Sequence, residues 1–158
     1  MTVIGLISDT HGLLRAGVHE ALAGVSLILH AGDVGGDDIL DELKLIAPVQ
    51  AVFGNCDAPW LPGFAAERVL EVEGVRIHVS HGHELGRPRP EKLAAAYPGF
   101  DVLVYGHTHR QVIERVGDVL VVNPGAAGAR RFDLSASVAR LTIVDGRAEV
   151  ELVELSGA

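Results

Sequence analysis

TVIGLISDTHG (residues 2–12) is an apolar run of strand length that ends in a serine, a carboxylate and a histidine. The same arrangement returns twice before residue 60, at SLILHAGD (residues 26–33) and at VQAVFGNCD (residues 49–57). Each apolar run has the length of a buried strand, and each is followed by glycine and polar side chains. This repetition predicts three buried strands whose ends carry polar groups.

Two helical patterns separate these three runs. Apolar residues recur there at intervals of three or four: Leu14, Val18 and Leu22, and then Ile39, Leu43 and Ile46. Strands that alternate with helices are joined by right-handed crossovers and pair in parallel. The first 60 residues therefore predict one half of an α/β fold.

The second half of the chain is dominated by hairpin patterns. Apolar runs flank the dipeptides Glu73-Gly74, Gly117-Asp118 and Asp145-Gly146, which are typical of tight turns between antiparallel strands. A short helix is predicted from Pro90 to Tyr97, and a further buried strand from Asp101 to Tyr105. We expect one domain spanning residues 1–158, with no linker or repeat inside it.

The composition disfavours several classes of protein, among them nucleic-acid-binding, disulfide-rich and membrane-spanning proteins. The formal net charge of −8 would repel duplex nucleic acid, although bound cations could reverse the sign of the field locally. A single cysteine, Cys56, excludes an intramolecular disulfide framework and is typical of a reducing compartment. No apolar stretch approaches the roughly 20 residues that span a bilayer. We expect a cytoplasmic protein with neither a membrane nor duplex nucleic acid as a partner.

Histidines and carboxylates are concentrated at the ends of the apolar runs. Six such residues and one asparagine follow five different predicted strands: Asp9, His11, Asp33, Asn55, His81, His107 and His109. The carboxyl ends of strands line the ligand crevice of an open α/β sheet. Oxygen and nitrogen ligands without sulfur suit Mn²⁺, Fe or Zn²⁺. Seven ligands exceed the four of a tetrahedral zinc site, and a pair of ions uses them better.

Each of these residues has a simpler interpretation when it is taken alone. Asp9 could cap a helix, Asp33 and Asn55 could sit in turns, and His81 could be a packed histidine. The pair His107 and His109 is harder to explain in that way. The ordered occurrence of all seven at strand ends favours a metal site.

The motifs resemble those of the calcineurin-like metallophosphoesterases, and the length resembles their small, cap-less, YfcE-like prokaryotic phosphodiesterases. The resemblance rests on blocks spread over nearly the whole chain: Ser8-Asp9-Thr10-His11-Gly12, Gly32-Asp33, Gly54-Asn55-Cys56-Asp57, Ser80-His81-Gly82-His83, Gly106-His107-Thr108-His109 and Asn123-Pro124-Gly125-Ala126. It implies an αββα sandwich, in which two mixed β-sheets are flanked by helices.

The resemblance also implies two divalent metal ions, Mn²⁺ in the first instance, with Fe, Zn²⁺ or Ni²⁺ as alternatives. The first ion would be held by Asp9, His11 and His109, and the second by Asn55, His81 and His107. The carboxylate of Asp33 would bridge the two ions. A metal-bridging hydroxide would attack a small phosphodiester. Two alternatives stay open: a phosphomonoesterase at the same site, and a metal-binding scaffold without activity that resembles the retromer subunit.

The expected catalytic group comprises Asp33, Asn55, His11 and His83. Cys56 stands where many superfamily members have a histidine that is thought to protonate the leaving group. A metal-proximal thiolate has no proton to give, so His11 and His83 become the nearest candidates. His83 could instead be a hydrogen-bonding partner of a ligand. His30, inside an apolar run, is expected to be a buried structural histidine.

Specificity is expected at the rim of the site. Trp60 could stack on a ring of the substrate, or it could anchor its loop by packing. Four arginines could meet substrate phosphate or could be solvated surface charges: Arg87, Arg89, Arg130 and Arg131. The predicted partner is a small phosphate ester, and association of two copies of the chain is left open.

Overall fold

The structure, a computed structural model, describes residues 1–128 and 134–155. Within them, the first half of the chain forms β1 (Thr2–Ile7), α1 (Gly17–Ala21), β2 (Leu27–His30), α2 (Asp37–Lys44), β3 (Val49–Val52), β4 (Phe64–Ala65), β5 (Glu67–Val72) and β6 (Val75–Ser80). The second half forms α3 (Pro90–Ala96), β7 (Val102–Val104), β8 (Val112–Val116), β9 (Val119–Asn123), β10 (Ser137–Val144) and β11 (Arg147–Glu154).

These strands form two mixed sheets. The first has the order β11-β10-β1-β2-β3-β4, in which β1 to β4 run parallel and β10 and β11 are antiparallel. The second has the order β5-β6-β7-β9-β8, with β6, β7 and β9 parallel and an antiparallel strand at each edge. The predicted parallel strands and hairpins are confirmed.

One apolar core lies between the sheets. It joins Ile4, Leu29 and Leu141 of the first sheet to Ile77 and Val104 of the second, all buried. Two further clusters cover the outer faces, where α1 and α2 pack on the first sheet and α3 packs on the second. Burying both faces of strands rich in valine, leucine and isoleucine explains why the runs are apolar throughout. The predicted αββα sandwich is confirmed.

Two of the three predicted hairpin turns have positive φ at both central residues. Glu73 and Gly74 have φ of 46° and 82°, and Asp145 and Gly146 have φ of 51° and 75°. Positive φ at both central residues defines the turn that matches the right-handed twist of the flanking strands.

Two local features differ from the sequence-based expectation. The helix predicted along Leu14, Val18 and Leu22 is only one turn, because the chain from Thr10 turns back on itself before α1 begins, with Leu13 N–H donating to the Thr10 carbonyl. The two-residue strand β4 was not predicted, since it is too short to carry an alternating pattern. No helix of the described residues is long and apolar enough to cross a bilayer.

Candidate metal centre

The structure brings all seven predicted ligands together at one edge of the sandwich. They lie in the five loops that follow β1, β2, β3, β6 and β7, at the carboxyl ends of strands from both sheets. Their ligand atoms fall into two clusters that share one carboxylate: Asp9, His11 and His109 in the first, and Asn55, His81 and His107 in the second, with Asp33 between them.

The first cluster surrounds the buried carboxylate of Asp9. Its Oδ1 atom lies 3.4 Å from His109 Nε2 and 3.7 Å from His11 Nε2. The two imidazole Nε2 atoms are 3.3 Å apart. Three potential ligand atoms therefore point at a common centre.

The second cluster surrounds the buried ring of His81. Its Nε2 atom lies 3.1 Å from Asn55 Oδ1, and that oxygen is 3.2 Å from His107 Nδ1. His81 Nδ1 donates to the Ala31 carbonyl oxygen at 2.7 Å, and this bond leaves Nε2 free to act as a ligand. Asn55 is exposed, which places the second cluster at the mouth of the site.

Asp33 joins the two clusters. Its Oδ2 atom lies 3.6 Å from His11 Nε2 and 3.2 Å from His81 Nε2. Its Oδ1 atom accepts a hydrogen bond from the Cys56 backbone N–H at 2.9 Å, which orients the carboxylate. A carboxylate in this position is able to bridge two ions.

Unusual backbone conformations aim these side chains. Among the described non-glycine residues, seven have positive φ, and five of them belong to the site: Asp9, His11, Asp33, His107 and His109. Left-handed backbone costs about 1–2 kcal/mol at a residue with a Cβ and persists only where surrounding structure enforces it. The remaining two lie in hairpin turns. Strain outside such turns is therefore confined to the ligand loops of the described chain.

Glycine is required at two of the motifs because backbone and ligand approach closely. A Cβ at Gly54 would lie 2.0 Å from Asp33 Oδ1, and one at Gly106 would lie 2.0 Å from Ser8 Oγ and 2.7 Å from Asp9 Oδ2. These contacts give a steric reason for the glycine that precedes each ligand.

Burial and neighbouring imidazoles compete at the carboxylates. Burial works to raise the pKa of the Asp9 carboxyl, but the adjacent imidazoles of His109 and His11 outweigh it and hold that pKa well below its usual range. Burial likewise acts to raise the pKa of Asp33, and the hydrogen-bonding and charge of His81 reverse the effect, leaving it lowered. Both carboxylates are therefore ionised at neutral pH.

The histidines of the second cluster are shifted in opposite directions. Burial acts to lower the pKa of His81, but the carboxylates of Asp33 and Asp9 raise it above its ordinary value. Burial, aided by the charge of His81, lowers the pKa of His107. A ligand imidazole must be neutral, so an ion bound at His81 would compete with a proton for this ring.

The residues present fit a pair of divalent cations. Asp9 Oδ2 accepts from Ser8 Oγ at 2.6 Å and from the His107 backbone N–H at 3.1 Å, whereas Oδ1 is buried without a hydrogen bond. A buried carboxylate oxygen without a donor is costly, and a cation in the centre of the first cluster would satisfy it. Carboxylate, imidazole and amide oxygen are ligands that Mn²⁺, Fe and Zn²⁺ accept.

Two residues form hydrogen bonds to the backbone of the ligand loops, a role that was not predicted. Asp57 accepts from the backbone N–H groups of Gly54, Val34 and Gly35 at 2.9, 3.1 and 3.2 Å. Asn123 Nδ2 donates to the Gly106 carbonyl oxygen at 3.1 Å. Both belong to motifs quoted above, but a motif alone does not reveal which backbone groups a side chain will reach.

His30 is buried and structural, as predicted. Its Nδ1 atom accepts from the Gly32 N–H at 3.1 Å, so Nε2 carries the proton and donates to Thr10 Oγ1 at 3.0 Å. Thr10 in turn donates to the Val34 carbonyl oxygen at 2.7 Å. Burial lowers the pKa of His30 to about 4, which keeps the ring neutral. This chain connects the loops after β1 and β2.

The remaining predicted residues lie around the site. His83 is partly buried beside the second cluster, with its ring 5.3 Å from that of His81 and 6.3 Å from that of His107. Cys56 is exposed at the mouth, next to Asn55.

The structure describes Trp60, Arg87 and Arg89 of the predicted rim. Trp60 is 81% exposed and therefore does not anchor its loop by packing. Arg87 and Arg89 line a cavity that reaches the site, whereas Arg130 and Arg131 lie outside the described residues.

Comparisons with known proteins agree with this geometry. The calcineurin-like phosphoesterase superfamily domain matches residues 1–146. A probable metallophosphoesterase of Methanothermobacter thermautotrophicus is 39% identical over 147 residues, covering 88% of this chain and 86% of the relative. The phosphodiesterase YfcE of Escherichia coli (strain K12) is 38% identical over 165 residues, covering 85% of this chain and 84% of YfcE.

Solved structures show the same fold. The structure of Escherichia coli YfcE, described as a phosphoesterase, superposes with a TM-score of 0.70 at 27% identity, covering 98% of this chain and all of that one. A Vps29 variant from Entamoeba histolytica superposes with a TM-score of 0.81 at 25% identity, with the same coverage. The chain therefore belongs to the calcineurin-like phosphoesterase superfamily, alongside the YfcE phosphodiesterases, and is an enzyme that hydrolyses phosphoric esters.

Proposed function

We propose that this enzyme is a phosphodiesterase that uses two divalent ions, one in each ligand cluster. The observation that carries the proposal is the position of Asp33 Oδ2, 3.6 Å from His11 Nε2 and 3.2 Å from His81 Nε2. A shared carboxylate is the feature that distinguishes a paired site from two unrelated ones. The relatives named phosphodiesterases in Escherichia coli and in Methanocaldococcus jannaschii favour a diester as the substrate.

The proposed ligands are divided as the clusters suggest. Asp9, His11 and His109 would hold one ion, Asn55, His81 and His107 the other, and Asp33 both. Mn²⁺ is the proposed metal, because the donor set is rich in oxygen and imidazole and contains no required thiolate. Bound divalent ions lower the pKa of coordinated water and neutralise charge that develops on phosphoryl oxygens.

The protein side chains would orient the ester and handle the leaving group. Asn55, exposed at the mouth, would contact a non-bridging phosphoryl oxygen through its amide nitrogen while its oxygen faces His81. His83 is the proposed proton donor to the leaving oxygen, since His11 is occupied among the first ligands. Cys56 is not assigned that part. With a weaker donor, aryl or other activated leaving groups would react fastest.

The proposed substrate is a small phosphodiester. The enzyme is proposed to act in the cytoplasm. A phosphomonoesterase would use the same ligands, and the names of the relatives are what favours the diester. The Vps29 likeness supports the scaffold alternative only weakly, because all seven ligand positions here are occupied by residues that can bind metal.

Metal content and hydrolysis of paired substrates test the proposal. Wild-type protein loaded with Mn²⁺ should retain two ions per chain and should hydrolyse bis(p-nitrophenyl) phosphate faster than p-nitrophenyl phosphate. Asp33→Asn should lose more than about 100-fold in activity and retain fewer than two ions, because the bridge is weakened. Asp41→Asn, the same change on the exposed face of α2, is the matched control.

Three outcomes would contradict the proposal. Full activity in a folded Asp33→Asn protein would refute the bridging role. A single bound ion in an active wild-type enzyme would refute the paired site. Faster hydrolysis of the monoester would refute the choice of diester.

A further inference from the structure

A cavity of about 670 Å³ opens beside the second ligand cluster. His107, a candidate ligand of the second cluster, lines it together with Thr108, so the cavity borders the metal centre. Its walls include the apolar side chains of Pro88 and Val112 and the ring of Tyr105. We refer to this cavity as the arginine groove, because three arginines line it: Arg87, Arg89 and Arg110.

No described residue compensates the charge of the arginine groove. None of the three guanidinium groups forms an ion pair or a hydrogen bond with another described residue, and no carboxylate lines the groove. Three other surface cavities of the described structure combine basic residues with at least one carboxylate each. A purely cationic cavity is unexpected in a chain of formal charge −8. It predicts an anionic ligand.

The backbone that carries two of the arginines is stiff. Arg87 and Arg89 alternate with Pro88 and Pro90, and proline fixes φ at both positions. Pro88 is buried, and Pro90 begins α3. Arg110 directly follows the ligand His109. Cations held on such restricted segments lose less entropy on binding than cations on a flexible loop.

We propose that the arginine groove binds a second phosphate of the substrate. The preferred substrates would then be phosphodiesters that carry a further phosphate beyond the scissile one, with the organic portion against Pro88, Val112 and Tyr105. Guanidinium groups form paired hydrogen bonds to phosphate oxygens, which makes arginine the suitable residue. This inference rests on the proposed function, because it assumes that the scissile phosphate occupies the metal centre.

Two chromogenic diesters with the same leaving group test the groove. One is thymidine 5′-(p-nitrophenyl phosphate), and the other carries an additional 3′-phosphate. Wild-type enzyme should favour the 3′-phosphorylated compound by about 10- to 100-fold in kcat/KM, the gain expected from charge-assisted hydrogen bonds. The gain should appear mainly in KM, since the groove binds a part of the substrate that does not react.

Variants identify the residues responsible. The double variant R89Q/R110Q should lose most of the preference for the 3′-phosphate, and Arg87→Gln should lose part of it. Arg147→Gln, an exposed arginine on β11 outside the groove, should keep the preference. A double variant that retains the full preference would overturn the proposal, as would a wild-type enzyme that hydrolyses both compounds equally well.

A binding measurement separates this inference from the proposed function. Calorimetry in the presence of Mn²⁺ compares thymidine 3′,5′-bisphosphate with thymidine 5′-monophosphate, neither of which needs to turn over. Wild-type protein should bind the bisphosphate about 10- to 100-fold more tightly, and R89Q/R110Q should not. Equal affinities in the wild type overturn the groove proposal even if hydrolysis is normal. Absent hydrolysis with an intact bisphosphate preference contradicts the proposed activity alone.

Discussion

Removal of the Asp57 carboxylate should destabilise the protein through the loops that carry the ligands. Its Oδ2 atom accepts from Gly54 N at 2.9 Å and Val34 N at 3.1 Å, and Oδ1 accepts from Gly35 N at 3.2 Å. These bonds connect the loop after β2 to the loop after β3. No side chain other than this one joins all three amides in the described structure.

The magnitude follows from counting the bonds that each substitution removes. Asp57→Asn can keep two hydrogen bonds to its neutral amide oxygen, but it loses the third bond and the negative charge that strengthens the other two. The free energy of unfolding should fall by about 2 kcal/mol. Asp57→Ala loses all three hydrogen bonds, and the free energy of unfolding should fall by about 4 kcal/mol after water has partly replaced them. For a domain of this size, the melting temperature should fall by about 4–8 °C for Asn and about 8–16 °C for Ala.

Thermal unfolding and metal titration provide the assay. Asp41→Asn and Asp41→Ala remove an exposed carboxylate of α2 that makes no such bonds, and they should melt within about 2 °C of wild type. Affinity for Mn²⁺ should also fall, by about 10- to 100-fold, because the ligand loops lose their support. If Asp57→Ala melted at the same temperature as the Asp41 controls, the three hydrogen bonds would not stabilise the loops.

Three further predictions concern single positions. Burial lowers the folded-state pKa of His30 to about 4, so the contribution of this residue to stability is complete above pH 6.5 and is lost as the pH falls toward 4. Between pH 6.5 and 5, the free energy of unfolding of the metal-free wild type should therefore fall by about 2 kcal/mol more than that of His30→Gln, as measured by urea unfolding. An equal loss in the two proteins would contradict this. Gly54→Ala should abolish metal binding by displacing Asp33, whereas Gly63→Ala, with φ of 87° and open space around it, should cost stability but keep the metal; retained metal in Gly54→Ala would disprove the steric argument. Trp60→Ala should change the free energy of unfolding by less than about 0.5 kcal/mol, and a larger loss in denaturant titration would mean that the side chain packs after all.

The architecture was accessible to sequence analysis because the central parallel strands are buried on both faces. A strand such as β1 has no polar side chain between Thr2 and its end, so both its length and its terminus are visible in the sequence. The hairpin at Asp145 was also visible, since its turn needs residues that tolerate positive φ. Local steric and hydrophobic rules act within each of these segments.

Elements that depend on distant partners were not accessible in the same way. Strand β4 exists because Phe64 and Ala65 pair with Ala51 and Val52, and nothing within two residues reveals that pairing. Likewise, β10 lies between β11 and β1, so the last hairpin completes the first sheet. Pairing between strands far apart in sequence is decided by the packing of the whole core.

The seven candidate ligands could be chosen from the sequence alone, because each follows an apolar run and parallel strands bring such ends to one edge. Tertiary structure alone decided how they are grouped. The placement of Asp33 between two imidazole clusters, the support from Asp57 and the arginine groove beside His107 all depend on distances between loops that are remote in the chain. Chemistry-bearing residue types are local properties of a sequence, whereas their mutual geometry is set by the sheets that carry them.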